Sequence, residues 1–464
     1  MTIALADDLT DSVDALRSRV DGIVALPFDA DYARCAPWNT AVTVEPAAVV
    51  FARSAHDVAE TLHFAAATGY TVAVAATGHG TLDVGADTIL IHTGEMTWCE
   101  VNPVERVARV GAGARWQHVL DAATPHGLAP LCGSSPSVGV VGFLTGGGIG
   151  PLVRSVGTSA DHVRAFELVT GAGETLRVTA DENPELFWGL RGGKATLGIV
   201  TEVEIELPEI AEFYGGAIYF DGSDAATVLH EWQRWSADLP ESVTTSVAML
   251  QLPDMPDVPP PLAGRFTVAV RYVALGDVDE AQRLLAPIRV CAPAVLDGVT
   301  VMPYAAIGAV HADPPNPMPV FQEHALLSDL TADAVDALLA VAGPDAGSLQ
   351  AIVELRRLGG AFARPPRHPS AFCSRDAAYT LMTIGAPALE LADAIAAHGQ
   401  AVIAAAEPWS TGRQLPNWAP ATGQERLTRV YDEETLLRLA ALAERHDPAG
   451  VLRTGQVARY PYPL

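Results

Sequence analysis

Cysteine is scarce in this chain, and its cysteines are widely spaced. The 464 residues contain five cysteines, an odd number for a disulfide framework. No C-x-x-C pattern is present, so the sequence does not predict a zinc site or a redox-active dithiol, and we expect no metal centre. Scattered single cysteines fit a reducing compartment, and we therefore expect a cytoplasmic protein.

Lysine and arginine are few compared with aspartate and glutamate. The 29 basic residues stand against 55 acidic ones, which leaves a formal net charge of −26 at pH 7. Such a charge repels phosphate backbones and anionic lipid. The composition therefore disfavours nucleic acid and membrane surfaces as partners, and it leaves the oligomeric state open.

Long apolar runs are also missing. No stretch approaches the roughly 20 residues that span a bilayer. The first 20 residues carry acidic side chains and lack the basic and apolar regions of a secretory signal. The chain is nonetheless 49% hydrophobic, and its length exceeds what one compact core usually supports. We expect two domains with room to bury a cofactor.

A histidine stands directly after a short apolar run. Residues 54–67 predict a helix, with a capping box at Ser54 and Asp57 and a stop at Gly69, and residues 71–76 predict a buried strand. The loop that follows, called the His79 loop below, consists of Thr77, Gly78, His79 and Gly80. Backbone amides in a loop of small residues can approach an anion closely. A histidine in this place is either a hydrogen-bonded structural residue or a reactive one, and the loop alone leaves both readings open.

Residues 134–150, called the glycine-rich segment below, hold six glycines in seventeen positions. That is too many for a packed element, so backbone must come close to another group there. The segment lacks the dinucleotide-binding fingerprint, because Pro151 stands where the pattern requires glycine. A Walker loop is also absent, because the Gly193-Lys194 pair is followed by Ala195.

Together these stretches resemble a known family. A strand, a Gly-His loop and a P-x-V-G-x-x-G-x-x-x-G-G-G-x-G segment are similar to the FAD-linked oxidases of the vanillyl-alcohol oxidase and p-cresol methylhydroxylase type. Further matches are Asp161-His162-Val163, residues 185–193 and Gly198-Ile199-Val200-Thr201. Tyr431 and residues 446–451 resemble the C-terminal segment of the berberine bridge enzyme branch. The resemblance spans most of residues 1–207 and the last fifty or so.

The resemblance implies an α+β fold in three stretches. Residues 1–207 are expected to form an FAD-binding domain of the p-cresol methylhydroxylase type. Residues 208–407 are expected to form a substrate domain, an antiparallel sheet with helices, because strand-like and helical runs alternate there. Residues 408–464 are expected to return to the FAD-binding domain.

Cofactor-binding residues follow from the resemblance alone. FAD is expected to contact Thr77, Gly78, His79, Gly80, Ser135, Ser137, Val138, Gly139, Gly142, Gly147, Gly148, Asp161, Gly198, Ile199, Val200 and Asn417. In many relatives a histidine at the position of His79 bonds the flavin 8α-methyl group, so a covalent FAD is implied. Relatives with a second bond use a cysteine in C-P-x-V-G. Here that motif begins with Ser135 and Cys132 lies three residues too early, so a single bond is expected.

Glu354 is the candidate catalytic residue. It lies in the apolar run 351–355, and a carboxylate on a buried strand should have a raised pKa that suits a base near neutral pH. In relatives an acid at this site faces the flavin. The alternative is an ion pair with Arg356 or Arg357.

The predicted function is that of an FAD-dependent oxidase. It would take a hydride from a C–H next to oxygen or nitrogen of a small organic substrate, with dioxygen as acceptor. Alternatives are an oxygenase or dehydrogenase on the same scaffold, or a flavin- or ligand-binding protein without turnover. Another rival is the related enolpyruvyl reductase, against which His79 and the Tyr431–Val451 tail argue.

Overall fold

The computed structural model describes residues 13–254, 258–386, 388–419 and 423–459. Helices and sheets are mixed, as predicted, and the strands form three sheets. The strands are β1 (Ile23–Ala25), β2 (Ala48–Phe51), β3 (Thr71–Ala75), β4 (Thr88–His92), β5 (Cys99–Asn102), β6 (Val107–Gly111), β7 (Val163–Val169), β8 (Thr175–Thr179), β9 (Ile199–Glu206), β10 (Glu212–Asp221), β11 (Val243–Gln251), β12 (Phe266–Ala274), β13 (Ala294–Asp297), β14 (Thr300–Pro303), β15 (Gln322–Leu327), β16 (Gln350–Arg357) and β17 (Tyr379–Gly385). The α-helices are α1 (Ala55–Thr68), α2 (Trp116–Ala123), α3 (Val140–Leu144), α4 (Val153–Val156), α5 (Pro184–Leu190), α6 (Ala225–Ala237), α7 (Val278–Cys291), α8 (Ala332–Ala342), α9 (Ala392–Ala405), α10 (Gly423–Val430) and α11 (Glu433–His446).

The first sheet places the His79 loop. Its strand order is β1-β2-β4-β3, in which β2, β4 and β3 run parallel. Helix α1 connects β2 to β3, and the Ser54 side chain accepts a hydrogen bond from the Asp57 amide at its start. Gly69 ends the helix in the left-handed conformation, at φ 81°. The sequence predicted both ends of this helix, and the His79 loop leaves the C-terminal end of β3.

The second sheet is antiparallel, with the order β5-β6-β9-β7-β8. It contains two hairpins, β5–β6 and β7–β8. Its core includes Trp116 of α2 and Phe166 of β7. Leu436 and Leu439 of α11 belong to the same core, so the described part of the predicted C-terminal segment packs here.

The third sheet has eight strands and is built from residues 212–385. Its order is β13-β10-β12-β11-β16-β17-β15, with β14 beside β10. Helices α6 to α9 cover one face, where Val247, Val353 and Leu355 join their apolar core. Side chains alternate along a strand, so Ser246 and Glu354 point to the opposite face. This is the antiparallel sheet with helices that the sequence predicted; the domain limits at residues 207 and 407 stay a prediction.

In the described ranges, the helices are all too short or too polar to cross a bilayer. The same ranges contain no grouping of three His, Cys, Asp or Glu side chains that could hold a metal ion.

Candidate flavin and substrate site

The His79 loop and the glycine-rich segment meet directly. His79 Nε2 lies 3.3 Å from Ser137 Oγ, and Ser137 Oγ lies 2.7 Å from Ser135 Oγ. From the other side, the Gly139 amide donates to Thr77 Oγ1 at 3.3 Å. Two stretches about 60 residues apart in sequence thus form one surface of hydroxyl groups and backbone. Such a surface is consistent with the prediction that both stretches contact FAD.

His79 is held in a defined orientation. Its ring stacks on Trp38, with centroids 4.5 Å apart and planes 13° apart, and its Nδ1 lies 3.2 Å from Thr77 Oγ1. Burial lowers the pKa of His79 to about 4, with a further contribution from Arg115, so the imidazole is neutral at pH 7. Gly78 permits this arrangement, because a Cβ there would lie 2.7 Å from Pro37 Cα. No sequence pattern indicated that Trp38 stacks on His79, because that contact depends on the tertiary fold.

The glycine-rich segment leaves space at one position and close contacts at others. A Cβ at Gly142, in α3, would meet no atom within 4 Å. Gly147 and Gly148 have φ of 92° and 73°, and a Cβ on them would lie within 2.5 Å of the Phe372 and Phe143 rings. Open space beside Gly142 is what a bound ring or phosphate group needs, whereas the other two glycines serve packing.

Lys194 links the glycine-rich segment to Asn417. Its ammonium donates to the Gly142 carbonyl at 3.0 Å and to Asn417 Oδ1, and the Asn417 amide donates to the Phe143 carbonyl at 2.9 Å. Burial, with a contribution from Arg426, lowers the pKa of Lys194 to about 7. Sequence reasoning placed Asn417 in the site but missed Lys194, although a lysine beside two glycines in an apolar stretch was a usable signal.

The remaining predicted cofactor residues have contacts within the protein. The Asp161 carboxylate accepts from the Thr158 amide at 3.0 Å and pairs with Arg375 at 2.6 Å. Gly198 has φ 149°, and a Cβ there would lie 2.5 Å from the Val169 carbonyl. Ile199 and Val200 are buried in β9, and Val138 packs against the same core region. Their role toward FAD stays a prediction.

Glu354 requires a correction. Its side chain is 3% exposed, and Arg271 Nη1 lies 2.7 Å from Oε1 while Arg356 Nη2 lies 2.8 Å from Oε2. Ser246 Oγ donates to Oε1 at 2.9 Å. Burial alone would raise the pKa of Glu354, but Arg356, Arg271 and His311 outweigh it and hold the pKa well below its usual range. The prediction of a raised pKa was wrong. It did not take Arg271 into account, because Arg271 comes from β12, a strand about 80 residues away in sequence.

A cleft is lined by residues of both this polar face and the glycine-rich segment. We call it the arginine cleft. Its lining includes Arg271, Arg356, Arg357, His311, Ile149 and Gly150. His311 follows the 3-10 helix Tyr304–Val310 and is 8% exposed. In that helix Gly308 approaches Pro136, where an added Cβ would lie 2.9 Å from Pro136 Cδ. The cleft therefore adjoins the glycine-rich segment.

The residues present fit FAD. Gly142 provides open space, and the His79 loop offers hydroxyl groups and backbone beside it. Lys194 and Arg426 are buried cations, and neither forms an ion pair with a carboxylate in the described ranges; Arg426 Nε and Nη2 have no hydrogen-bond partner. Unpaired buried positive charge favours an anionic group nearby, and a dinucleotide carries two such charges.

Comparison with known proteins gives the same picture. Residues 46–179 match the FAD binding domain family. The chain is 28% identical over 462 residues to (R)-6-hydroxynicotine oxidase of Paenarthrobacter nicotinovorans, covering 94% of this chain and 96% of that one. An FAD-dependent monooxygenase of Penicillium roqueforti is 30% identical over 191 residues, 40% of this chain and 37% of its own.

Solved structures agree over nearly the whole chain. The 6-hydroxy-D-nicotine oxidase of Arthrobacter nicotinovorans superposes with a TM-score of 0.82 at 25% identity, over 95% of this chain and 98% of that one. A carbohydrate oxidase of Microdochium nivale has a TM-score of 0.82 at 18% identity, over 97% and 99%, which shows a shared fold. The chain is therefore an FAD-dependent oxidoreductase, similar over nearly its whole length to FAD-linked oxidases.

Proposed function

We propose that the protein oxidises a small organic molecule at a carbon that bears oxygen or nitrogen and passes the electrons to dioxygen. FAD, when bound, supplies the hydride acceptor. In the balanced reaction the substrate loses two electrons and two protons, and dioxygen gains them as hydrogen peroxide. The observation that carries the proposal is the contact of the His79 loop with the glycine-rich segment, which also lines a cleft together with the polar face of the third sheet.

We further propose that His79 holds the flavin covalently. A neutral imidazole has a lone pair on one ring nitrogen, and both ring nitrogens face hydroxyl groups that can donate or accept. Formation of the bond would replace one 8α C–H bond and the imidazole N–H bond by a C–N bond, and the two protons and two electrons released would convert dioxygen to hydrogen peroxide. Ser135 offers no thiol for a second bond, which supports single attachment.

Glu354 is the proposed acid–base residue of the site. The arginines keep it ionised, and an ionised carboxylate can take the heteroatom proton, although its low pKa makes it a weaker base than expected. His311 Nε2 lies 3.5 Å from Glu354 Oε1 and could relay that proton. The likeness to 6-hydroxynicotine oxidase supports an amine or alcohol carbon as the point of oxidation.

An oxygenase is the second candidate, because the monooxygenase of Penicillium roqueforti is similar to this chain over 191 residues. One experiment separates the candidates. Photoreduced holoenzyme is mixed with air-saturated buffer, and flavin absorbance and peroxide are followed, with free reduced FAD as the reference. We expect rapid reoxidation with one peroxide per flavin. Slow reoxidation would make the protein a dehydrogenase, and rapid reoxidation with isotopic oxygen in the product would make it an oxygenase.

A further inference from the structure

The arginine cleft is positive although the molecule as a whole is strongly negative. Arg271, Arg356 and Arg357 line it, and Glu354 is the carboxylate that two of them share. His311 adds no charge near neutral pH, because burial and Arg356 lower its pKa. Three guanidinium groups against one carboxylate leave two positive charges in excess, in a chain whose net charge is −26.

Several donors on the cleft wall also lack acceptors. Within the described residues, Arg271 Nε and Arg357 Nε are buried without a hydrogen-bond partner, and so is His311 Nδ1. Arg271 and His311 are 5% and 8% exposed. A buried donor without an acceptor destabilises the folded protein, so this wall is suited to a group that the described residues do not supply.

The position of the cleft fits a substrate group better than a structural ion. Ile149 and Gly150 of the glycine-rich segment also line it. The apolar part of a substrate would therefore lie toward the flavin side, while a charged end would lie against the guanidinium groups. Guanidinium and carboxylate groups match in shape and form paired hydrogen bonds.

We propose that the substrate carries a carboxylate group, which binds in the arginine cleft against Arg271 and His311. This inference rests on the proposed function, since it names the substrate class of the same site. Glu354 competes with that carboxylate for the guanidinium groups and so sets the strength with which an acid binds.

The test compares benzoate with benzamide, which have the same size and differ in charge. Each is titrated into oxidised holoenzyme at constant ionic strength and pH 7, with the dissociation constant taken from calorimetry and from the flavin difference spectrum. We expect benzoate to bind at least tenfold more tightly than benzamide. Equal affinities, or binding of benzoate that nitrate abolishes at equal concentration, would overturn the proposal.

Two variants that each remove one charge should shift the dissociation constant of benzoate in opposite directions. Arg271→Gln removes a positive charge and is expected to weaken benzoate about tenfold, whereas Glu354→Gln removes the competitor and is expected to strengthen it severalfold. Arg283→Gln, at an exposed position of α7, is the matched control and should leave the dissociation constant of benzoate unchanged. If Arg271→Gln does not fold, Glu354→Gln still decides, because unchanged or weaker benzoate binding there contradicts the proposal.

The binding test is independent of turnover. If the reduced flavin fails to react with dioxygen but benzoate binds selectively, the oxidase proposal fails and the carboxylate site stands. If the protein is an oxidase that binds benzoate and benzamide equally, the carboxylate site fails and the oxidase proposal stands.

Discussion

His79 combines the properties that an attachment residue needs. It is neutral, its ring is fixed between Trp38 and two hydroxyl groups, and it stands at the edge of the space beside the glycine-rich segment. We predict that acid precipitation leaves yellow flavin in the protein pellet, and that His79→Ala releases it to the supernatant. Absorbance spectra of the two fractions measure this directly.

A second buried histidine provides the control for that experiment. His92 ends the neighbouring strand β4, and burial, with Arg34, lowers its pKa to about 4 as well. His92→Ala should keep the flavin in the pellet, because His92 stands outside the His79 loop. Flavin retained by His79→Ala would contradict the assignment.

Glu354 shows where reasoning from residues reaches its limit. Its burial was readable from the apolar run around it, and Arg356 was correctly named as one possible partner. Arg271 could not be identified, because strand order in an antiparallel sheet decides which side chains face one another. The pKa of Glu354 is lowered by Arg356 and by Arg271 together, and only Arg356 is near it in sequence.

At the scale of elements, the sequence predicted those features of helices and strands that depend on residues close to one another in the chain. The cap at Ser54, the stop at Gly69 and the alternation along β9 were readable, because each depends on neighbours in sequence. Strands β15 and β17 gave no clear signal, since their residues are largely buried on both faces and lack alternation. The stacking of Trp38 on His79 and the Lys194–Asn417 contact join distant elements, so sequence pattern could not reveal them.

The glycine-rich segment permits a test at this scale. Gly142→Ala adds a methyl group to open space in α3, so the apoprotein should lose no stability and can gain up to about 1 kcal/mol from helix propensity. If FAD fills that space, the variant should bind it poorly. The ratio of flavin to protein absorbance and the thermal unfolding midpoint measure the two effects separately.

Two other glycine variants serve as controls for Gly142→Ala. Gly147→Ala should unfold at lower temperature, because its Cβ would lie 2.4 Å from the Phe372 ring at φ 92°. Gly85→Ala, on an exposed loop with only Asp87 Oδ1 at 3.4 Å, should behave as wild type. Full FAD content in Gly142→Ala would show that the cofactor lies elsewhere.

On the scale of the whole molecule, a strongly acidic chain contains several histidines that stay uncharged in the folded protein. Burial lowers the pKa of His79 and His92 to about 4, and burial with Arg356 lowers that of His324 to about 3. In the unfolded chain these side chains take up protons near pH 6.5. Between pH 6.5 and about 4 the unfolded state therefore binds more protons, and stability falls as the pH falls.

The expected size of this effect makes it measurable for a single residue. Each such histidine costs roughly 1.4 kcal/mol per pH unit across the window. His324 is 1% exposed and neither ring nitrogen has a hydrogen-bond partner, so His324→Leu removes a buried base without leaving an unpaired group. The loss of unfolding free energy from pH 6.5 to pH 4.5, measured in urea, should be smaller than in wild type by about 2–3 kcal/mol. His126→Gln, on the surface, should lose as much as wild type. An equal loss in His324→Leu would mean that His324 takes up its proton in the folded state, and the acid sensitivity would then have to come from the carboxylates.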